Sequence, residues 1–310
     1  MKLFVCKIPF KFFYTIMLLF VLAISFLHCS AINTQPHFYS LTQDNGLSNA
    51  NINCILQDDN GFMWFGTNDG LNKFDGYEFT VYRNSPKDKH SISSNHITCM
   101  HQDANGVIWI GTKGGGLNAY DSKIDKFVSY QQPGQNSSSA SGNDILSICE
   151  NNDGILWIGT DGAGLYSFNT KENSVSDYLH DPHNVKSISS NEVIALELSP
   201  KGSMLVGTWS GGLNCLQPGN SEFKIITGNQ GVNINRIWKI LAHKNDIWIG
   251  TFGNGLIRLD INTFESENIW LDKLDDNVDD KVIWAICADR ENRKWIGTNN
   301  GIYIISPQYE

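Results

Sequence analysis

The sequence predicts an all-β protein, a β-propeller of six four-stranded blades whose last blade is closed by the N-terminal strand. Three observations carry this expectation. A Gly–Thr pair ends a short apolar run six times, at Gly66-Thr67, Gly111-Thr112, Gly159-Thr160, Gly207-Thr208, Gly250-Thr251 and Gly297-Thr298, with spacings of 45, 48, 48, 43 and 47 residues, a period that holds a four-stranded unit. A tryptophan stands two positions before the glycine as Trp64, Trp109, Trp157, Trp248 and Trp295, with Leu205 in its place in the fourth repeat. Turn-forming residues punctuate the runs at matching offsets.

The second repeat shows how each element follows. Ile97-Thr98-Cys99-Met100-His101-Gln102 is β-prone, and Asp103-Ala104-Asn105-Gly106 has the composition of a tight turn. Val107 to Thr112 is almost continuously apolar, as in a strand covered on both faces. Lys113-Gly114-Gly115-Gly116 turns the chain into Leu117 to Asp121, and Lys126 to Tyr130 makes a more polar fourth strand, so polarity rises outward as in a propeller blade. The repeated tryptophans are expected to wedge between blades. The glycines let neighbouring sheets approach, and the threonine hydroxyls suit bonding to backbone.

Closure is expected from the N-terminus. The sixth repeat runs out after Gly301 to Ile305, which matches a third strand, and His37-Phe38-Tyr39-Ser40-Leu41 resembles the fourth strand of the second repeat. Pairing of the two ends would hide two sheet edges.

The bulk composition narrows the function. The chain has 310 residues, 41% hydrophobic and 18% charged, enough for one large closed core. Residues 1–31 hold three lysines and no acid, so the remainder sets 20 bases against 32 acids. Such a surface repels polyanions, and no basic stripe interleaved with aromatics occurs in the repeats, which argues against nucleic-acid binding. The basic start, the uncharged stretch of 16 residues from Phe12 to Leu27 and the small residues Cys29-Ser30-Ala31 read as an export signal over 1–31, leaving a propeller domain over 32–310. Periplasmic or exported placement is expected. Acylation at Cys29 is the alternative, disfavoured by the bulky His28.

Five cysteines remain after the signal: Cys54, Cys99, Cys149, Cys215 and Cys287. Four of them recur at fixed distances before their glycine, and buried packing is preferred over a disulfide framework. The turns at Asp58, Asp103 and Asn151 resemble fragments of calcium loops, yet lack the closing glutamate, so hairpin chemistry is preferred and no metal or cofactor is expected. His180-Asp181-Pro182-His183 is close-spaced, but a third ligand is missing.

The pattern Asp-x-x-Gly-x-x-Trp-Ile-Gly-Thr-x-x-Gly-Leu, nearly intact from Asp58 to Leu71, resembles the two-component regulator propeller repeat, and the phrases Ser91-Ile92-Ser93-Ser94-Asn95 and Ser187-Ile188-Ser189-Ser190-Asn191 resemble that family's interblade loops. The resemblance implies the periplasmic sensor part of hybrid two-component histidine kinases of Bacteroides-type bacteria, which detect glycan-derived oligosaccharides. Such sensors carry two seven-bladed propellers, a β-sandwich, a membrane helix, a kinase and a receiver. This chain departs from that pattern by holding six repeats and no kinase segment, and is expected to be either standalone or the product of a truncated sensor gene. Its implied partners are an oligosaccharide ligand and a further propeller or sensor kinase.

Strand order puts the loops between second and third strands on one face. They carry Asn68, Asp69, Lys113, Asp161, Trp209, Phe252, Asn299 and Asn300, which vary in chemistry on a constant frame and are the candidate ligand-binding residues. Trp209 and Phe252 suit the faces of a sugar ring, or cover the channel mouth. No catalytic residue is assigned, since there is neither a nucleophile elbow nor a phosphate loop. A streptogramin-lyase-like enzyme using His96 or His183 with Glu192, and a protein-interaction scaffold, remain the alternatives.

Overall fold

The computed structural model describes residues 39–130, 143–229, 231–269 and 281–307. The chain divides into two compact units, Met1–Ser40 and Leu41–Glu310, and the second is a six-bladed β-propeller. Blades 1 to 5, over residues 52–82, 97–130, 145–178, 193–226 and 237–269, are four-stranded antiparallel sheets with strands in sequence order. Blade 6, over 283–305, has three strands among the described residues. Of the segment expected to close it, His37 and Phe38 lie outside the described residues, while Tyr39, Ser40 and Leu41 form no strand and are exposed.

The residues after it have a different role. Leu47 is buried and Ser48 donates its backbone N–H to Asn72 Oδ1 at 2.8 Å, while Asn72 Nδ2 donates to Ser48 Oγ at 2.8 Å. The same clasp recurs where Ser93 meets Asn118 and where Ser189 meets Asn214. Residues 46–51 are therefore the lead-in loop of blade 1, equivalent to Ser91-Ile92-Ser93 and Ser187-Ile188-Ser189. Each clasp satisfies a fully buried asparagine on a third strand, which would otherwise bear an uncompensated desolvation cost.

The apolar second strands are covered as anticipated; Ile108–Thr112 and Met204–Thr208 are buried at every position. Each Gly–Thr threonine donates its hydroxyl to the carbonyl of the glycine opening the third strand, from Thr67 to Gly70 at 2.8 Å through Thr298 to Gly301 at 3.1 Å. The glycines act between sheets. A Cβ on Gly66, Gly111, Gly159, Gly207 or Gly250 would lie 2.5–2.7 Å from Ile97, Ile145, Val193, Ile237 or Ile283, the residue opening the following blade. No side chain larger than hydrogen fits there without displacing the neighbour.

The hydrophobic core is accordingly distributed over the seams. Trp64 and Leu71 of blade 1 pack with Ile97, Ile108 and Ile110 of blade 2, and four further clusters repeat the arrangement across the next four seams. Trp64, Trp109, Trp157 and Trp248 are buried, as is Leu205 in the fourth blade. Tyr82 of blade 1 and Tyr120 of blade 2 both donate at 2.7 Å to Asp125 Oδ1, tying two blades at one carboxylate.

The calcium-like turns are hairpins whose carboxylates are already engaged. Asp58 Oδ1 accepts the N–H groups of Asn60 and Phe62, and Oδ2 accepts the Trp64 indole N–H at 2.9 Å. Asp103 treats Asn105, Val107 and Trp109 alike. In blade 6 Asp289 takes the Trp295 indole and Arg293, and these bonds, the indole's foremost, hold its carboxyl well below the usual range. Blade 3 breaks the rule: Asn151 caps the turn through Asp153 N and Ile155 N, but Trp157 Nε1 is buried without a partner.

Asn151→Asp is expected to supply the missing acceptor and stabilise the protein by about 1 kcal/mol. Chemical denaturation checks it, with Asp103→Asn expected to shift the midpoint the opposite way.

Candidate ligand face at the second-to-third strand turns

The first strand of every blade carries a β-bulge at its second residue: Asn53, Thr98, Leu146, Ile194, Trp238 and Trp284 are each skipped in the pairing with the second strand. A bulge re-aims a side chain. In three blades the re-aimed residue meets the one just after Gly–Thr. Asn53 Nδ2 donates to Asn68 Oδ1 at 2.8 Å, the Trp284 indole donates to Asn299 Oδ1 at 2.7 Å, and the Trp238 ring lies 6.4 Å from the Phe252 ring. Two sets of side chains per blade, one from the bulge and one from the turn, thus compose this face.

Blades 4 to 6 bring four aromatic rings together there. Trp209 and Phe252 have centroids 5.6 Å apart, Phe252 and Trp284 5.8 Å, and Trp238 and Trp284 5.4 Å in an edge-to-face contact. The Arg236 guanidinium stands 5.8 Å from the Trp209 ring. Its backbone is left-handed, with φ 55°, an uncommon state for a residue bearing a Cβ. Two bonds hold it: Arg236 N donates to Trp209 O at 2.8 Å and Phe252 N donates to Arg236 O at 2.9 Å. A strained arginine is therefore locked between the two aromatic turns.

Of the candidate residues, Trp209, Phe252 and, through Trp284, Asn299 gather in this cluster. Asn300 N donates to Thr298 Oγ1 at 3.2 Å in the same turn. Asn68, Asp69, Lys113 and Asp161 occupy the equivalent turns of blades 1 to 3. They bond to their own surroundings: Asp69 pairs with Arg83 at 3.0 Å, Lys113 N donates to His96 O, and Asp161 bridges to Glu192 in backbone pairing. The structure thus splits the eight candidates between an aromatic arc over blades 4 to 6 and a polar arc over blades 1 to 3. Sequence reasoning missed Trp238, Trp284 and Arg236. The signal was an Ile-Trp pair at 237–238 and again at 283–284, one repeat apart, though a bulge is not visible in a strand's composition.

His180 and His183 serve the loop that holds them. His180 Nδ1 is 2.8 Å from Ile188 O, and His183 N donates to Asp181 Oδ1. Partial burial and the nearby Lys113 depress the His96 pKa. Among the described residues no group of three His, Cys, Asp or Glu side chains has metal-binding geometry. The cysteines are free, and burial raises the Cys54, Cys99 and Cys149 thiols, opposing thiolate formation; Cys287 is exposed, unlike the buried position expected for it.

One inner-strand carboxyl stands out. Glu197 lies opposite Leu205, in the blade where leucine replaces tryptophan, and accepts Ala242 N–H at 3.1 Å. Burial pushes its pKa up to about 7, against the opposing pull of that bond and of Lys239.

The fold defines a β-propeller whose chemical variety is concentrated on one loop face. Residues 46–69, 91–114 and 139–162 match the repeat model of the two-component regulator propeller family. It superposes with a TM-score of 0.73 on an extracellular domain assigned to a hybrid two-component system of B. thetaiotaomicron, 28% identical over 87% of this chain and 36% of that one. A stretch of 74 residues, 23% of this chain and 5% of the relative, is 49% identical to histidine kinase P4 of Formosa agariphila. PorZ, a surface component of the type-IX secretion system of Porphyromonas gingivalis, shares the fold at 16% identity, with a TM-score of 0.65 over 81% of this chain and 38% of that one. The chain thus resembles the extracellular propeller domains of Bacteroides hybrid two-component systems while spanning well under half of these relatives' length. Among the described residues no helix is long and apolar enough to cross a membrane.

The raised Glu197 pKa sets a pH dependence. As pH climbs from about 4.5 to about 7 the unfolded chain releases this proton before the folded chain does, so stability falls through that window. Glu197→Gln is expected to flatten the decline and raise stability at about pH 8, as read from melting temperatures across roughly pH 4–8.

Proposed function

We propose that this chain is the exported ligand-binding propeller of a two-component sensor system, that residues 1–31 direct its export, and that it detects glycan-derived oligosaccharides on the second-to-third strand face. The carrying observation is the continuous set of four rings, Trp209, Phe252, Trp238 and Trp284, presented by three consecutive blades beside Arg236 and Asn299. Aromatic faces with a few fixed polar groups are what a sugar ring requires, because its apolar C–H face stacks while its hydroxyls need donors and acceptors. The resemblance to an extracellular domain of a hybrid two-component system supports sensing over turnover. In this reading Asn68, Asp69, Lys113, Asp161 and Asn300 extend the polar rim around the face, and a kinase is the downstream partner.

The test is a thermal-shift screen against a panel of oligosaccharides, followed by calorimetry on hits. Trp209→Ala and Phe252→Ala are each expected to weaken binding up to about tenfold, the worth of one stacked aromatic contact. Trp284→Ala should act similarly, whereas Tyr77→Ala, an exposed aromatic in the third-to-fourth strand turn, should leave binding unchanged. Hits whose affinity ignores all three tryptophan and phenylalanine variants would sink the assignment.

A further inference from the structure

Three arginines stand against a tryptophan ring: Arg236 by Trp209 at 5.8 Å, Arg258 by Trp248 at 5.9 Å and Arg293 by Trp295 at 5.7 Å. Two of them also hold a carboxylate. Arg258 Nε bonds Asp246 at 2.9 Å and Arg293 Nε bonds Asp289 at 2.6 Å, so that ring, guanidinium and carboxylate form a closed set. Arg236 has the ring alone, and among the described residues no acid pairs with it. Its side chain is exposed, and a Cβ built on Gly253 would lie 3.9 Å from its Nη1, so the guanidinium leans from Trp209 over the turn that carries Phe252. Holding it there is costly, since φ 55° suits glycine or asparagine better than arginine. An exposed cation–ring contact by itself returns little for that strain.

The charge around it is one-sided. The turns after Thr208, Thr251 and Thr298 carry Trp209, Phe252, Asn254, Asn299 and Asn300 and no carboxylate, whereas Asp69 and Asp161 belong to blades 1 and 3. A second cation, Lys239, follows three residues on in the first strand of blade 5. It pairs with Gly250 at the register where the other blades place Cys54, Cys99, Ser147, Ala195 and Ala285, none of them charged at neutral pH, and it is exposed. Its charge pulls against the burial that raises the pKa values of Cys54, Cys99 and Glu197, on blades 1, 2 and 4, which puts it where the first strands converge. In a chain whose residues after 31 set 32 acids against 20 bases, the aromatic arc is thus bordered by two cations.

We infer, on the reading of this face as a sugar-binding surface, that its ligand is an acidic oligosaccharide, a uronate whose carboxylate takes at Arg236 the place that Asp246 takes at Arg258 and Asp289 takes at Arg293. The sugar ring stacks on the aromatic arc while the planar carboxylate meets the guanidinium fork edge-on, a match that a neutral sugar does not offer. Trp209 backs the guanidinium and leaves its N–H edge to the ligand. Lys239 adds a positive field on the channel side.

Calorimetry on trigalacturonate, trimannuronate and triguluronate, each beside its carboxyl-reduced form, tests this, because reduction keeps the linkages and removes only the charge. At least one uronate is expected to bind about tenfold or more tighter than its reduced form, and to weaken as salt is raised. Arg236→Asn removes the charge and keeps a residue that tolerates left-handed backbone, so its melting temperature should match the parent's. It should cost the uronate about tenfold or more and leave the reduced form unchanged, while Arg236→Lys restores only part of the loss, since an ammonium lacks the fork. A reduced form that binds as tightly as its uronate, with both weakened by Trp209→Ala, leaves sugar binding on this face standing and overturns the acidic ligand. A uronate preference that survives Arg236→Asn overturns the role of Arg236. Sulfated carrageenan disaccharides bound in preference to every uronate overturn the carboxylate. Failure of all these sugars, charged and neutral, to bind overturns the sugar-binding reading and the acidic ligand together.

Discussion

Everything in this propeller depends on one steric exclusion. At the end of a second strand a glycine leaves room for the β-branched residue that opens the next blade, and across five seams that neighbour stands 2.5–2.7 Å from where a Cβ would be. Close-packed interiors tolerate no such overlap. The missing side chain sets how near two sheets approach, the approach sets where the buried tryptophan wedges, and the wedge completes the apolar core of the seam. Threonine then fixes the chain's exit from the strand by its bond to the third-strand glycine.

Much of this was legible in the sequence because it is periodic. Glycine, threonine and tryptophan recur at fixed offsets, and a repeated offset in an array means a repeated environment. The polarity gradient from Val107–Thr112 to Lys126–Tyr130 likewise placed strands inside or outside a blade. What stayed hidden depends on geometry that composition does not encode. The indole bonds to Asp58, Asp103 and Asp289 join a turn to a strand six residues on, and the same acids read equally well as partial cation ligands. Ser48, with no Ser-Ile-Ser-Ser phrase around it, gave no sign that residues 46–51 form the lead-in loop of blade 1.

The candidate face was half legible for a related reason. Residues after Gly–Thr vary, and that variation marked Trp209, Phe252 and Asn299. Trp238 and Trp284 lie within first strands, where an aromatic residue ordinarily signals packing, and only the bulge turns them towards the turns. The division of labour is physical: positions that face a neighbouring sheet are held to a few residue types by close packing, while the bulge and turn positions carry no such restriction and accept asparagine, lysine, aspartate or tryptophan.

The aromatic rings belong to different blades: Trp209 to the fourth, Phe252 and Trp238 to the fifth, Trp284 to the sixth. A body made of sheets coupled only to their neighbours behaves as a one-dimensional chain of hinges, each with its own stiffness. A molecule resting on all four rings spans two of those hinges at once and acts as a rivet across them. Binding there would be coupled to the seams beneath, so that a ligand on the face would stiffen one arc of the ring and, with it, whatever that arc supports.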